Sequence, residues 1–393
     1  MNIYPNCIEE IQNDTLINFP IEYSDNTNDK LRYRIEKSYT DYVTDFLDAP
    51  LVALIIPAMY AGEDIYLHGT ISERLYYNLS GPYQAILKHL IPTLKSINIF
   101  PENLISNSKR SPGVATGFSC GIDSFSLLGK HYYSDVVQGF KITHLLFHNV
   151  GSHGTGGERL FEARYAKNRQ IADKIGLPLI KVNSNLEKFY QPFIYEHTDT
   201  QRNASVPLLL QKGIGRYLYA SAYGFPDIYL RPSTLMTHSD LIALPLLSTE
   251  SVDMVSTGSE YNRVEKTIQV AKIEESYDSL DVCIHPGSAG NCSKCAKCLR
   301  TLLTLDIAGL TEKYSSVFDL SIYQEQRTRY IGEVIISDDP FLREIREFAE
   351  QENYEFPKKS YLFAVYLKIQ RHFPRMMRVI KRALRRVKKI INA

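Results

Sequence analysis

From residue 113 onward, short apolar runs alternate with helix-period segments, and this alternation constrains the fold more than any other feature of the chain. Gly113–Ser119 is a small-residue strand, Ser124–Tyr133 a helix and Ile142–Asn149 an apolar strand. Arg159–Ile175 is a long helical run closed by Gly176, and Leu177–Asn183 is the next strand. Val206–Ala222 is expected as a helix, Asp227–Leu230 and Val252–Ser256 as strands, and Val264–Ala271 as a helix. Strands spaced by helices of this length are joined by crossovers, so the pattern predicts an α/β fold: a parallel sheet with helices on both faces. Such sheets bind ligands at the carboxyl ends of their strands.

Around this centre the chain divides into segments 1–110, 111–310, 311–370 and 371–393. The first is a mixed α+β extension with weak alternation over Lys30–Lys37, a short strand at Asp64–His68, and helical stretches at Pro57–Ala61 and Ser72–Leu79. Polar, proline-containing Ser106–Pro112 marks its boundary. Residues 299–330 and 340–370 have helical patterns.

With 44% hydrophobic and 23% charged residues, the 393-residue chain has enough apolar material for a core, which excludes a disordered or fibrous protein. A net charge of +1 argues against a surface coated all over for nucleic acid. That average hides an asymmetry: residues 371–393 hold nine Lys/Arg and no acid, leaving 36 basic against 44 acidic residues, net −8, in residues 1–370. The amino terminus lacks the basic-then-apolar pattern of a signal peptide. The longest apolar stretch, around Leu51–Ala61, falls well short of the roughly 20 residues of a membrane span. A cytoplasmic protein is expected, and four of its six cysteines crowd together in a way that suggests metal rather than disulfides.

Two motifs carry chemistry. Ser119-Cys120-Gly121-Ile122-Asp123-Ser124 lies directly between a strand and a helix. Such a joint offers free backbone N–H groups and the positive end of a helix dipole, an anion site, and Gly121 lets backbone approach a phosphate closely. The alternative is a plain helix cap by Asp123 or Ser124. The second motif is Cys283-x8-Cys292-x2-Cys295-x2-Cys298, whose thiols can close a tetrahedral sulfur site of the kind Zn2+ favours, with an iron–sulfur cluster as the alternative. Lys294, Lys297 and Arg300 are expected to offset the charge of the thiolates.

The first motif resembles the SGGxDS loop of the PP-loop ATP pyrophosphatase superfamily, matching it at Ser119, Gly121, Asp123 and Ser124 and departing at Cys120, where glycine is usual. The two motifs in this order, followed by Leu299-Arg300, resemble the 7-cyano-7-deazaguanine synthase family over residues 113–305. Nearly the whole chain is similar to larger synthase-like proteins, through Met59, Gly62–Gly69, Ser233–Ser248 and Asn291–Thr301. The resemblance implies ATP with Mg2+ at Ser119, Cys120, Gly121, Ile122, Asp123 and Ser124, and a structural Zn2+ at the four cysteines. It implies cleavage of ATP to AMP and pyrophosphate, with adenylation of a substrate carboxylate that ammonia or an amine then attacks. It does not carry over the deazaguanine substrate. No glutaminase motif is evident, so nitrogen would come from free ammonia or from a donor protein. Two rivals stand beside this ligase: a sulfur-transfer enzyme acting on RNA, with Cys120 and Cys7 as persulfide candidates, and a non-catalytic nucleotide-binding protein.

Several residues are candidates for the remaining chemistry. Arg263 and Lys266, three apart on one helical face, would steady a departing pyrophosphate and join Asp123 and Ser124 as catalytic candidates; the alternative gives them Glu260 and Glu265 as partners. His148 and His153, in a glycine-rich segment after a strand, and His238, Ser239 and Glu250, in a polar stretch of an apolar region, are candidates for substrate binding. Arg202-Asn203 and Lys212–Arg216 supply further cations, for a phosphate or for the surface. In the last segment Ile380, Leu384, Val387 and Ile391 recur at intervals of four, three and four among the cations, the pattern of an amphipathic basic helix suited to an anionic membrane face, RNA or a partner.

Overall fold

A computed structural model describes residues 1–154, 157–283 and 290–370. The candidate basic helix and part of the loop after Cys283 lie outside the described residues. In chain order the elements are β1 (Asn2–Ile3), β2 (Cys7–Ile11), β3 (Asp14–Glu22), β4 (Asn28–Glu36), α1 (Asp48–Ala61), β5 (Ile65–Ser72), α2 (Glu73–Ser80), α3 (Pro82–Leu90) and β6 (Ile99–Ile105). There follow β7 (Gly113–Gly117), α4 (Ile122–Leu128), β8 (His144–Asn149), α5 (Glu158–Ile175), β9 (Leu179–Ser184), α6 (Asp199–Leu209), β10 (Ile214–Ala220), α7 (Asp240–Ala243), β11 (Asp253–Thr257) and α8 (Arg263–Val270). The described chain closes with α9 (Ala296–Ile307), α10 (Leu320–Ile336), α11 (Pro340–Gln351) and a helix over 358–370.

The strands form one eleven-stranded, mostly parallel sheet in the order β11-β10-β7-β8-β9-β4-β3-β1-β5-β6, with β2 on β3. The α/β expectation holds. β11, β10, β7, β8 and β9 run parallel, and β4 joins them antiparallel to β9 through Tyr33–Ser184 and Ile35–Val182. Segment 1–110 therefore extends the same sheet. Alternation along each strand sends neighbours to opposite faces: Leu146 and Ile180 join the core with α1 and α6, whereas Leu145 and Leu179 join the core with α4, α5 and α9. Helix α1 is buried on nearly every side, with eleven buried residues, which explains why its sequence is apolar around the helix rather than along one stripe.

Two expectations around residue 210 fail. The helix expected over Val206–Ala222 is helix α6 followed by strand β10. Gly213 makes the break: a Cβ there would lie 2.0 Å from the ring of Tyr42. Beyond it Tyr217 and Tyr219 face one core and Leu218 the other, a period of two hidden in a run apolar on both sides. Asp227–Leu230 is not a strand; it follows a 3-10 turn at Phe225–Asp227 outside the sheet, where Tyr229 N–H donates to His238 O.

Candidate functional site

Strand β7 is first in its parallel unit and lies between β8 and β10, so the chain leaves it in one direction and returns on its other side. The crevice beyond its carboxyl end is the switch point at which doubly wound sheets bind ligands. Ser119–Gly121 occupies it, and α4 begins at Ile122 and continues as a π turn over Gly129–Tyr133. Cys120 sits at φ +59°, the left-handed region that favours glycine. Its backbone thus keeps the glycine-like turn, and its fully buried thiol donates to Asn168 Oδ1 of α5 at 3.0 Å. Burial pushes the thiol pKa up. Ser119 is exposed, and Ser124 Oγ donates back to Gly121 O at 2.9 Å.

Asp123 faces out of the first turn of α4 and meets both cations of α8: Arg263 Nη2 at 2.8 Å and Lys266 Nζ at 3.6 Å. The alternative partners are otherwise engaged. Glu265 forms a reciprocal capping box with Asn262, and Glu260 pairs with Lys130. Lys266 is 1% exposed and donates to Ser221 O at the end of β10; the Arg263 amide donates to Glu344 Oε2 of α11 at 2.8 Å. Burial alone would raise the Asp123 pKa; Arg263 and Lys266 outweigh it and hold the carboxyl below its ordinary range. Desolvation lowers the Lys266 pKa against the pull of Asp123.

Two further cations belong here. Lys297 and Arg300 were expected to serve the thiolates, but both act on Arg263 and Asp123. Desolvation, then repulsion from Arg263, lowers both, Arg300 to about 10. Lys297 is exposed as a residue, although protein crowds its ammonium. Four cations thus surround one loop carboxylate.

Arg300 also begins a column of planar groups. It lies over Phe341 at 3.9 Å, Phe341 stacks on Tyr223 at 4.8 Å, Tyr223 on His238 at 3.9 Å and His238 on Tyr229 at 4.3 Å, with Arg231 over Tyr229 at 4.0 Å. His238 is therefore held between two tyrosines, with Nδ1 on Asp227 O at 2.8 Å. Ser239 Oγ donates to Met236 O, and Glu250 accepts from the Arg74 amide in the first turn of α2. These three substrate candidates are engaged in packing and capping rather than gathered at the loop.

The four cysteines do converge. Cys283, Cys292, Cys295 and Cys298 place their sulfurs within 4.8 Å of one another, with Cys295–Cys298 at 3.5 Å and Cys283–Cys295 and Cys292–Cys298 each at 4.0 Å. A tetrahedral Zn2+ with Zn–S of about 2.3 Å asks for S···S near 3.8 Å, so the cluster can hold a metal ion such as zinc. Amides of Lys294 and Cys295 overcome desolvation and bring the Cys292 thiol down to about 7. The cluster is tied to the loop through Asp281, whose amide donates to Cys120 O, two residues before Cys283.

A second polar assembly lies between α6, α7 and the ends of β8 and β10; the sequence singles out His148 and Arg202-Asn203 but not their meeting with Asp199, Gln201 and Asp240. Asn203 Oδ1 accepts from Tyr195 OH and Nδ2 donates to Tyr219 OH, so His148, at 3.0 Å from Oδ1, carries its proton on Nε2 and presents Nδ1 as a buried lone pair without a partner. Burial lowers the His148 and His153 pKa values to about 4. Arg202, fully buried, pairs with Glu187 at 3.0 Å and lies over Tyr190 at 3.8 Å. Gly151, at φ +107°, makes room for it; a Cβ would lie 2.3 Å from Nη1. Asp240 accepts from Thr200 Oγ1 at 2.6 Å, and Gln201 donates to Tyr83 OH of α3. Asp199 Oδ1, Gln201 Oε1, Arg202 Nη2 and Asp240 Oδ2 are buried without hydrogen-bond partners. Neither aspartate has an ion-pair partner among the described residues; burial raises both, Asp240 to about 7. The other sequence cations are elsewhere: Lys212 pairs with Asp45 and Arg216 with Asp253.

The fold and these sites define an α/β protein with a four-cysteine cluster beside a cation-lined loop. No family model matches the chain, and no curated protein or solved structure matches it.

Proposed function

We propose that the protein is an ATP-dependent ligase that splits ATP into AMP and pyrophosphate. The observation carrying this reading is the meeting of Asp123, on the loop after β7, with Arg263 and Lys266 from the helix after β11, at the switch point. Backbone amides of Ser119–Ile122 would cradle the pyrophosphate portion, and Arg263, Lys266, Lys297 and Arg300 would balance the charge that leaves with it. Asp123 Oδ1, buried without a hydrogen-bond partner, suits a bound Mg2+, which would neutralise phosphate charge. Zn2+ at the cysteines would cross-link the Asp281–Cys283 segment to the start of α9 and so fix Lys297 and Arg300. The polar assembly around Asp199, Gln201, Arg202 and Asp240 would receive the carboxylate substrate and its nitrogen nucleophile, its open polar atoms being met by the ligand.

Cys120 favours the ligase over both rivals, while Cys7, a free and exposed thiol, stays a persulfide candidate for the sulfur-transfer reading. Cys120 is fully buried with a raised pKa, the reverse of what a persulfide carrier needs, and its backbone retains the turn that a working loop requires. The test uses purified full-length protein with labelled ATP, ammonium and a panel of small carboxylic acids. AMP and pyrophosphate are the expected products, absent with Asp123→Ala; ADP as the product overturns the reading.

A further inference from the structure

The helix over 358–370 is apolar on two sides. Ser360 and Ala364 are buried against α10 at Gly332, where an added Cβ would lie 3.2 Å from Ala364 N, Phe363 Cβ and Ser360 O. This close approach fixes the helix on the body. On the remaining surface Tyr361, Leu362, Val365, Tyr366 and Ile369 are each at least 51% exposed. Their positions, i, i+1, i+4, i+5 and i+8, make one continuous stripe. A single exposed leucine is ordinary; five large apolar groups in nine residues mark a contact surface.

The charge beside this stripe identifies what fits it. Residues 358–393 contain twelve Lys/Arg and no Asp or Glu. A second copy of the same surface would bring two such cationic segments together, which repulsion opposes. RNA would satisfy the cations and leave Leu362, Val365 and Ile369 facing water. An anionic bilayer meets both demands: the apolar stripe enters the headgroup boundary, the tyrosines suit that interface, and the cations stay with lipid phosphates and carboxylates. We infer that the stripe Tyr361–Ile369 is a docking surface for an anionic membrane face.

The experiment is co-sedimentation of the full-length protein with phosphatidylcholine vesicles, with and without phosphatidylserine, in the absence of nucleotide. The parent should sediment with the phosphatidylserine vesicles at about 0.05 M salt and be released at least about tenfold at about 0.5 M. Leu362→Glu/Ile369→Glu alters only exposed positions, leaves the Gly332 contact intact and removes no cation. It should weaken vesicle binding by about tenfold or more while keeping the parent's circular dichroism and melting temperature. Three results overturn the inference: no sedimentation of the parent with phosphatidylserine vesicles at low salt; undiminished binding of the double variant, which would leave attachment to the cations alone; or a parent dimer, in solution, that the double variant dissolves, which would make a second copy the occupant.

Discussion

Two polar regions lie at the carboxyl edge of the same sheet, and their charges are arranged in opposite senses. The recess around Asp123 has one carboxylate among four cations, of which Lys297 is exposed. The chamber, the buried polar assembly around Asp199 and Asp240, has two carboxylates without an ion-pair partner among the described residues. An excess of cations awaits an anion; buried acceptors without donors await a ligand with N–H or O–H groups, or a proton. The first region suits a polyphosphate, the second an organic substrate, and both border β10: Lys266 bonds Ser221 just past the strand, and Tyr219 bonds Asn203 within it.

The largest effect should come from the metal cluster, because it supports only one of the two regions. Binding free energy of a structural metal is folding free energy, roughly 10 kcal/mol or more for zinc peptides. Cys298→Ser should lose the bound metal by elemental analysis and lower the melting temperature by more than about 10 °C. The recess should fail with it, since α9 carries Lys297 and Arg300, whereas the chamber draws nothing from α9. A variant that keeps its metal-free stability and its ATP affinity would break this asymmetry.

Next in size is Lys266→Met. A charge-assisted contact to phosphate is worth about 1.5–3 kcal/mol, so ATP affinity by calorimetry should fall roughly 10- to 100-fold. Asp240→Asn should leave ATP affinity within about twofold, because on the proposed reading the two regions bind different parts of the reaction. Equal losses in both variants would merge recess and chamber into one site.

How far the sequence revealed these regions follows from how each is encoded. Ser119–Ser124 is contiguous, Arg263 and Lys266 share a helical face, and the cysteines stand at ligand spacing, so local patterns sufficed. Lys297 and Arg300 were assigned to the thiolates because they are adjacent in sequence. On a helix, residues two positions apart point about 200° apart, so the pair 297/300 faces away from 295/298. The chamber is legible only in fragments: His148 and Arg202-Asn203 stand out locally, but their meeting with Tyr83, Asp199, Tyr219 and Asp240 spans more than 150 positions and no local pattern shows it. Its central strand was also read as helix, which hid the neighbourhood of Tyr219.

A smaller effect separates the two regions by pH. Asp240 is raised from 3.8 to about 7, so in that window the folded state holds a proton that the unfolded chain releases, and stability falls as pH rises. His148 is lowered from 6.5 to about 4, so there the unfolded chain holds the extra proton, and stability rises as pH rises. The two slopes oppose each other between about pH 4 and 6.5. Denaturant midpoints should therefore vary little with pH in the parent, rise with pH in Asp240→Asn and fall with pH in His148→Gln. Asp123, held low, contributes stability above the ordinary carboxyl pKa of 3.8 and loses it as pH falls further, so the recess should be silent in this window. Parallel profiles for all three proteins would show that the chamber groups titrate normally.

The smallest effect concerns Cys120, the single departure from glycine in the loop. At φ +59° a non-glycine residue costs roughly 1–2 kcal/mol. Against this, the buried thiol contributes its apolar burial and its bond to Asn168, of similar size together. Cys120→Gly should therefore change stability by less than about 1 kcal/mol in either direction. The thiol faces α5, away from the backbone amides proposed to hold phosphate, so ATP affinity and turnover should stay within about threefold of the parent. A gain of tenfold or more would mean that the thiol restrains the recess through Asn168, and the loop would then have to be regarded as impaired rather than complete.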